Sequence, residues 1–411
     1  MNGTVPYASR TRTPLARAMA LAASRRSRLK IWWQEVDRVL LGLVLLLMSV
    51  GTIAVAAASP ASANRLSTAE TNLPELYFFW RHIAFQVVSV CALIGASFLP
   101  RLYARRAGIV LAIVMIGFLL LVPLVGHEVN GARRWIDFGI RFQPSAFLKP
   151  GFAILLAWML SWRLRDPNLP VVALAIATSM LVVILLALQP NFGDAILFVG
   201  CAFVLLILSG VSIKMIGTFS GVGAGALMLT YFLYDNARNR IDAFLGGGSA
   251  FDQVDLAHRT LTAGGWTGSG LWLGLKKMSL PEAHTDYIFS VIGEEFGLVV
   301  CAIIVLLYLA IILRVLTRLA EEQDIFTILA ASGLTAMFGG QAFVNIMVNL
   351  QLFPSKGMTL PLVSYGGSST IAVCLTIGLL LAITRRNPFL QRNTPGLAQI
   401  FRDGDRREGV Q

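Results

Sequence analysis

Three stretches of the 411-residue chain combine residue types that could do chemistry. The first runs Ser279-Leu280-Pro281-Glu282-Ala283-His284-Thr285-Asp286-Tyr287 and continues into Gly293-Glu294-Glu295 inside an apolar run. A carboxylate at such a boundary can act as a general base; one within a membrane helix is costly unless paired or hydrated. Asp286 therefore reads either as a functional acid or as a helix cap, and Glu294 and Glu295 either as functional acids or as a buried pair with a cation. The second stretch is Asn130-Gly131-Ala132-Arg133-Arg134-Trp135, followed by Gln143-Pro144-Ser145-Ala146-Phe147-Leu148-Lys149. Two arginines suit a phosphate through their planar forks, or anchor an interface beside Trp135. Lys149 either snorkels to the interface or faces a polar cavity. The third stretch places Gln341, Asn345 and Asn349 on one helix face, as glue between helices or as a cavity lining. It leads into Lys356-Gly357-Met358-Thr359-Leu360-Pro361 and Ser364-Tyr365-Gly366-Gly367-Ser368-Ser369, a non-helical segment suited to a cavity wall. Arg238, Arg240, Lys276 and Lys277, interleaved with Gly264-Gly265 and Gly268-Ser269-Gly270, could cradle a pyrophosphate or sit on a solvated loop.

The elements that must position these residues are membrane helices. The chain is 56% hydrophobic and 14% charged, against roughly one half and one quarter in soluble domains. An ordinary soluble enzyme and a disordered protein are thereby excluded. Ten runs approach the roughly 20 apolar residues that a bilayer requires: 39–58, 82–100, 107–126, 144–162, 169–188, 193–210, 213–234, 287–313, 325–349 and 367–384. Lys plus Arg is 34 and Asp plus Glu 22, a net charge of +12. With the N-terminus inside, 22 of the basic residues are cytoplasmic, 11 lie outside and Lys149 is intramembrane. That bias predicts both termini in the cytoplasm and requires no nucleic acid. It also turns the long connection 235–286, and the loops carrying the three stretches, outward. Residues 1–34 read as a disordered basic arm, 35–388 as the membrane domain and 389–411 as a cytoplasmic tail.

Several mechanisms have no signature here. No GxxxxGK[ST] loop, HExxH helix or GxSxG elbow occurs. The four His (His82, His127, His258, His284) lack metal-ligand spacing. Cys91, Cys201, Cys301 and Cys374 each lie in an apolar run and read as packed thiols.

The segments GARRWI with QPS, LPEAHTDYIF with EE, and SKGMTLPLVSYGGSS are long and irregular. Through them the chain, over roughly 36–388, resembles the SEDS family (shape, elongation, division, sporulation) of bacterial membrane proteins. LPEAHTD and KGMTLPLVSYGGSS resemble its cell-division, FtsW-type branch; the elongation branch typically carries Gln-Arg where Ala283-His284 stand. The resemblance implies an all-α fold of about ten transmembrane helices, with a large extracytoplasmic loop between helices 7 and 8. It implies a peptidoglycan glycosyltransferase that polymerises lipid II and releases undecaprenyl pyrophosphate at the division septum of the inner membrane. The implied partners are a class B penicillin-binding protein transpeptidase and other divisome membrane proteins.

The family's essential Asp falls on Asp286, expected as general base. No cofactor is certain, and a divalent cation (Mg or Mn) at Asp286 stays open. Arg133, Arg134, Lys276, Lys356 and Arg240 become candidates for the pyrophosphate. Lys149, Glu294, Ser364, Tyr365 and Ser368 are expected to bind substrate or shape its cavity. The family usually has Glu after QPS, where this chain has Ala146, and favours QPD where it has Gln189-Pro190-Asn191. Asp194, three residues on, shares a helix face with Asn191 and could supply a carboxylate. A lipid II flippase and a non-catalytic division scaffold are the competing readings. The absence of an internal repeat and the outward position of Asp286 weigh against the flippase, and the missing acid at 146 leans toward the scaffold.

Overall fold

The computed structural model describes residues 29–68, 72–129, 132–137, 139, 141–163, 166, 169–233, 238–239, 241–242, 246, 251–355 and 357–386. Lys356 and Arg240, both expected at the substrate, lie outside the described residues, as do 1–28 and 387–411. The chain divides into two units, Val39–Thr384 and the two terminal segments up to Arg38 and from Arg385. In the terminal unit, residues 29–35 are helical, so the irregular arm does not extend through 34 as expected. There Arg385 Nε donates to Glu35 Oε2 at 2.8 Å.

The larger unit is mostly helical. In chain order it contains α1 (Arg38–Leu66), α2 (Tyr77–Ser97) and α3 (Arg101–Val125). A small sheet of β1 (His127–Val129), β2 (Ala132–Asp137) and β3 (Arg141–Phe142) follows. Then come α4 (Pro144–Ser161), α5 (Val171–Leu188), α6 (Phe192–Leu208), α7 (Ile213–Leu233) and α8 (Phe251–Ala263). A 3-10 turn (Lys276–Ser279) precedes α9 (Ile288–Leu319), α10 (Ile325–Asn349) and α11 (Gly367–Ile383). Among the described residues, seven of these helices are long and apolar enough to cross a membrane: α1 to α5, α9 and α10. α6 and α11 are apolar but shorter, at 17 residues each, and α7 covers the remaining predicted run.

Two helices make the interior. α4 and α10 are buried along most of their length, whereas the other five long spans leave more than half of theirs uncovered. The uncovered positions are large and apolar, such as Val87, Val110, Ile113, Val299 and Ile303, as lipid contact demands. Close packing needs small residues at crossings. Gly51 of α1 is one: a Cβ there would overlap the backbone of Leu362 and Val363. Gly297 is another. Its φ of 84° interrupts α9, and its bare Cα lets the backbone of Trp266 to Gly268 lie against the helix.

Two of the connections between spans are built structures. β1, β2 and β3 form an antiparallel sheet in chain order, with Glu128 opposite Arg133 and Asp137 opposite Arg141. Residues 264–279 fold back onto α9: Ser269 N–H bonds Glu294 O at 2.8 Å, and Leu298 N–H bonds Gly265 O at 3.0 Å.

Candidate functional site

The site begins with the polar stripe of α10. Asn345 Nδ2 donates to the carbonyl oxygens of Asp286 (2.8 Å) and Met358 (2.6 Å). Asn349 Nδ2 reaches Asp286 O at 3.2 Å, and its Oδ1 accepts from Ser290 Oγ at 2.7 Å. Gln341 Nε2 donates to Thr359 O at 2.9 Å. All three amides are buried, so they hold two irregular segments that have no ladder partners of their own. The stripe is thus a mount for the backbone around Asp286 and around 357–361.

The two segments are also tied to each other. Ser364 Oγ donates to Thr285 O at 2.6 Å and accepts from Leu360 N–H at 2.8 Å. Tyr365 N–H bonds His284 O at 2.9 Å. Ser364 is therefore a buried strut outside the cavity wall. Glu282 opens the Asp286 turn with φ of 52°, a conformation costly for a side chain with a Cβ and one that clusters at functional sites. The N-cap of α9 is Tyr287, and the first turn of that helix is met by Asn349, whose Oδ1 accepts from Ser290 N–H at 3.2 Å. A Cβ placed on Gly357 would stand 3.5 Å from Asp286 Oδ2.

Asp286 opens onto a cavity of about 790 Å³. Its wall includes Lys149, Asp194, Gln341, Tyr365 and Ser368, and also Ala146, Glu282, Asp137, Arg141 and Arg81. Lys149 does not snorkel. Its Nζ lies 3.0 Å from Asp194 Oδ1 and 2.8 Å from Gln341 Oε1. Asp194 Oδ2 also accepts from Ser145 Oγ (2.7 Å) and Asn191 Nδ2 (2.8 Å). The carboxylate expected to compensate at Asp194 is thus at the cavity floor, bonded to Asn191. On the hairpin, Arg141 Nε holds Asp137 Oδ2 at 2.9 Å, and this bond keeps the Asp137 carboxyl below its usual pKa.

Other expected contacts are elsewhere. Arg133 is exposed and outside the cavity wall. Arg134 Nε donates to Gln189 O at 3.2 Å and its Nη2 to Pro190 O, tethering the hairpin to the α5–α6 turn. Lys276 is exposed and outside the cavity wall. Glu294, expected to shape the cavity, accepts the N–H groups of Lys276 (2.6 Å) and Lys277 (2.8 Å) and is not part of its wall. Glu295 is paired with Lys277 Nζ, which also donates to Ala57 O at 2.9 Å. The pairing reading holds for Glu295: both acids are receptors for the folded-back loop.

Arg81 and Arg141 belong to the cavity and were not anticipated. For Arg81, a lone Arg in the first turns of a span gives the signal of an interfacial anchor, so sequence spacing does not separate the two roles; Arg141 is placed by the strand pairing of the hairpin. Tyr365 packs between Phe78, Phe85 and His284, with ring centroids 5.4, 6.2 and 5.3 Å away. Burial raises its phenol pKa, against the pull of the nearby Arg81 charge.

For a divalent cation, no three His, Cys, Asp or Glu side chains gather into a cage among the described residues. A carboxylate on an open cavity wall fits a Mg²⁺ ion that keeps its waters and shares substrate phosphates. Asp286 would hold it, and the ion would offset leaving-group charge.

Together, the apolar helices and the cavity with charged side chains on its wall define a multi-span membrane protein with an internal site. The family described as cell cycle protein, which groups FtsW, RodA and SpoVE, matches residues 37–388, and the chain belongs to it. It is 36% identical over 374 residues to a probable peptidoglycan glycosyltransferase FtsW of Caulobacter vibrioides, covering 90% of this chain and 94% of the relative. A relative with the same description from Hahella chejuensis is 34% identical over 382 residues, covering 89% and 93%. Among solved structures, the fold matches a chain described under structural coordination of polymerization and crosslinking by a peptidoglycan synthase complex (TM-score 0.67, 26% identity, 85% and 97% covered). It also matches the rod shape determining protein RodA of Thermus thermophilus (TM-score 0.62, 26% identity, 86% and 97% covered).

Proposed function

We propose that this protein is a peptidoglycan glycosyltransferase that polymerises lipid II during septal wall synthesis. The observation that carries the reading is Asp286: a carboxylate on the wall of a large cavity that also carries Lys149, Arg81 and Arg141, its backbone held by two buried amides of α10. In the proposed step, the Asp286 carboxylate takes the proton from the C4 hydroxyl of the acceptor GlcNAc. The hydroxyl oxygen then bonds the anomeric carbon of the donor MurNAc. The bond from that carbon to the phosphate oxygen breaks, and undecaprenyl pyrophosphate leaves with the electron pair. Cationic groups on the cavity wall favour that charge as it develops. The donor carries its own activation, which agrees with the lack of an ATP-binding loop.

The cell-division similarity supports placement in the bacterial inner membrane at the septum, and the charge bias supports cytoplasmic termini. It supports action alongside a class B penicillin-binding protein and other divisome membrane proteins.

The test gives labelled lipid II to the purified protein, with and without its transpeptidase partner. Glycan polymer should form, and Asp286→Ala should lower its rate by at least about a hundredfold. Polymer formation undiminished by that change would remove Asp286 from the mechanism. Lipid II translocation in liposomes without polymer would favour a flippase.

A further inference from the structure

A separate cavity of about 480 Å³ opens between the starts of α5 and α7, and none of its lining residues belongs to the wall around Asp286. Ile176 and Met180 of α5 line it with Met215 and Phe219 of α7. Its depth follows from the rise of a helix, about 1.5 Å per residue. Ile176 and Met180 stand five and nine residues beyond Val171, where α5 begins, so about 8 and 14 Å along its axis. Lys214 and Phe219 stand one and six residues beyond Ile213, the start of α7, so about 2 and 9 Å along. One leaflet offers about 15 Å of hydrocarbon. The groove therefore runs from the membrane surface through most of a single leaflet.

The mouth of the groove is cationic. Lys214 lies on its rim beside Ser212, exposed, and has no acidic partner among the described residues. Arg163, from the connection between α4 and α5, reaches the turn that precedes α7: its Nη1 donates to Ser209 O at 2.7 Å. That bond fixes its direction and neutralises none of its charge. Residues 162–170 and 209–214 together carry Arg163, Arg165 and Lys214 against one acid, Asp166. Below the rim the wall turns apolar. Thr218 Oγ1 is turned to Lys214 O at 3.0 Å, and the rest is isoleucine, methionine and phenylalanine. Charge at the surface with hydrocarbon beneath is the order of an anionic phospholipid. A partner helix would span about 30 Å, and the groove covers about half of that. Two methionines adapt to a flexible chain more readily than branched side chains do.

We propose that the groove between α5 and α7 binds one anionic glycerophospholipid, with its phosphate at Lys214 and one acyl chain between Met180 and Phe219. In the orientation favoured by the charge bias this is the cytoplasmic leaflet, whose surface potential is negative. The lipid fills a gap that α5 and α7 leave between them, so it acts as a wedge that holds the start of α7. The site does not depend on the glycosyltransferase reading.

The experiment titrates phosphatidylglycerol or phosphatidylcholine of equal chain length into the full-length protein in neutral detergent. Native mass spectrometry reads the bound lipid, and melting reads its effect on the fold. One phosphatidylglycerol should bind about fivefold more tightly than phosphatidylcholine, the preference that one cation near the headgroup gives. Lys214→Gln should bring the two lipids within about twofold of each other, and Lys214→Arg should keep the preference. Met180→Trp, which fills the chain slot, should weaken both lipids alike. Arg106→Gln removes an exposed cation at the same end of the bundle and should change nothing. A preference that survives Lys214→Gln, or one lost equally in Arg106→Gln, would overturn the site in favour of diffuse attraction. Displacement of the bound lipid by stoichiometric undecaprenyl phosphate would also overturn it, giving the groove to an isoprenoid. Binding that depends on Lys214 in a protein that makes no glycan sustains the site and sinks the glycosyltransferase. Polymerisation without a selective lipid does the reverse.

Discussion

Lys149 and Asp194 meet on the cavity wall with both side chains almost enclosed, beside two positions at which the chain departs from the pattern of the family it resembles. Positions 146 and 191, where the family favours acids, hold Ala146 and Asn191, and Asp194 supplies the carboxylate that balances the lysine. Removing one partner of a buried pair leaves an uncompensated charge. Asp194→Asn is therefore expected to cost about 3 kcal/mol of stability, read as a lower melting temperature of purified protein, together with reduced polymerisation. Ala146 and Lys149 are three residues apart on α4 and share the cavity wall, so Ala146→Glu should rescue Asp194→Asn. Strict additivity of the two changes would show that the sites do not share the lysine. His284 makes a second prediction. It is buried against Phe78 at 4.2 Å between ring centroids, and its Nδ1 has no partner among the described residues. Burial lowers its pKa from 6.5 to about 4. Between those values the unfolded chain binds a proton that the folded chain does not. Stability is then full above pH 6.5 and falls as pH drops toward 4, by about 3 kcal/mol in total. Melting followed across this window should show the loss, and His284→Phe, which keeps the aromatic packing, should flatten it. Equal slopes for the two proteins would assign the acid sensitivity to other groups.

At the scale of elements, α10 does the positioning and α9 the anchoring. Asn345→Leu removes the donor that joins Asp286 O to Met358 O and leaves both carbonyls without that bond. A shift of about 1 Å at a reacting group can cost a hundredfold in rate. The expected result is a kcat lower by about that factor, with lipid II binding largely retained; an unchanged kcat would show that the stripe only packs helices. The stripe was legible in the sequence because polar residues at steps of four stand out in an apolar helix, but its reading there was helix glue or cavity lining, and its role as a mount for two loop segments came from the fold. The helices themselves were legible for the same reason of contrast. The outer hairpin was not: its strands are six residues or fewer, and a register shift between His127 and Glu128 breaks any alternation. Nor was the fate of Glu294 and Glu295. Two acids in a membrane helix signal a polar partner, but only the fold shows it to be the returning loop, whose N–H groups and Lys277 they receive. Arg81 was hidden by the opposite difficulty, because a charge near a helix end has an ordinary interfacial explanation. The same held for Arg133 and Arg134, which look alike in the chain, yet Arg134 is taken up by backbone carbonyls.

For the whole molecule, the direction in which the cavity opens decides what substrate it can meet. With the N-terminus placed inside, the net charge of +12 resolves into an expected asymmetry of 22 basic residues on the cytoplasmic side and 11 outside. Basic residues in short loops resist translocation, and the proposed orientation therefore has Asp286, the hairpin and residues 264–279 on the extracytoplasmic side. Polymerisation of an exported lipid-linked sugar requires that side, and a site opening to the cytoplasm would instead meet the precursor before export. Labelling with a membrane-impermeant maleimide separates these cases. Among the described residues Cys201, Cys301 and Cys374 are buried, and Cys91, which faces outward from α2, can be replaced by Ser. In that background Ser269→Cys, on the exposed returning loop, should react in intact spheroplasts. Glu321→Cys, in the exposed turn between α9 and α10, should react only after permeabilisation. Placing the probes on opposite ends of α9 makes the result independent of how many spans precede it. The reverse pattern would turn the cavity inward, and with it the glycosyltransferase reading would fail even if Asp286 remained essential.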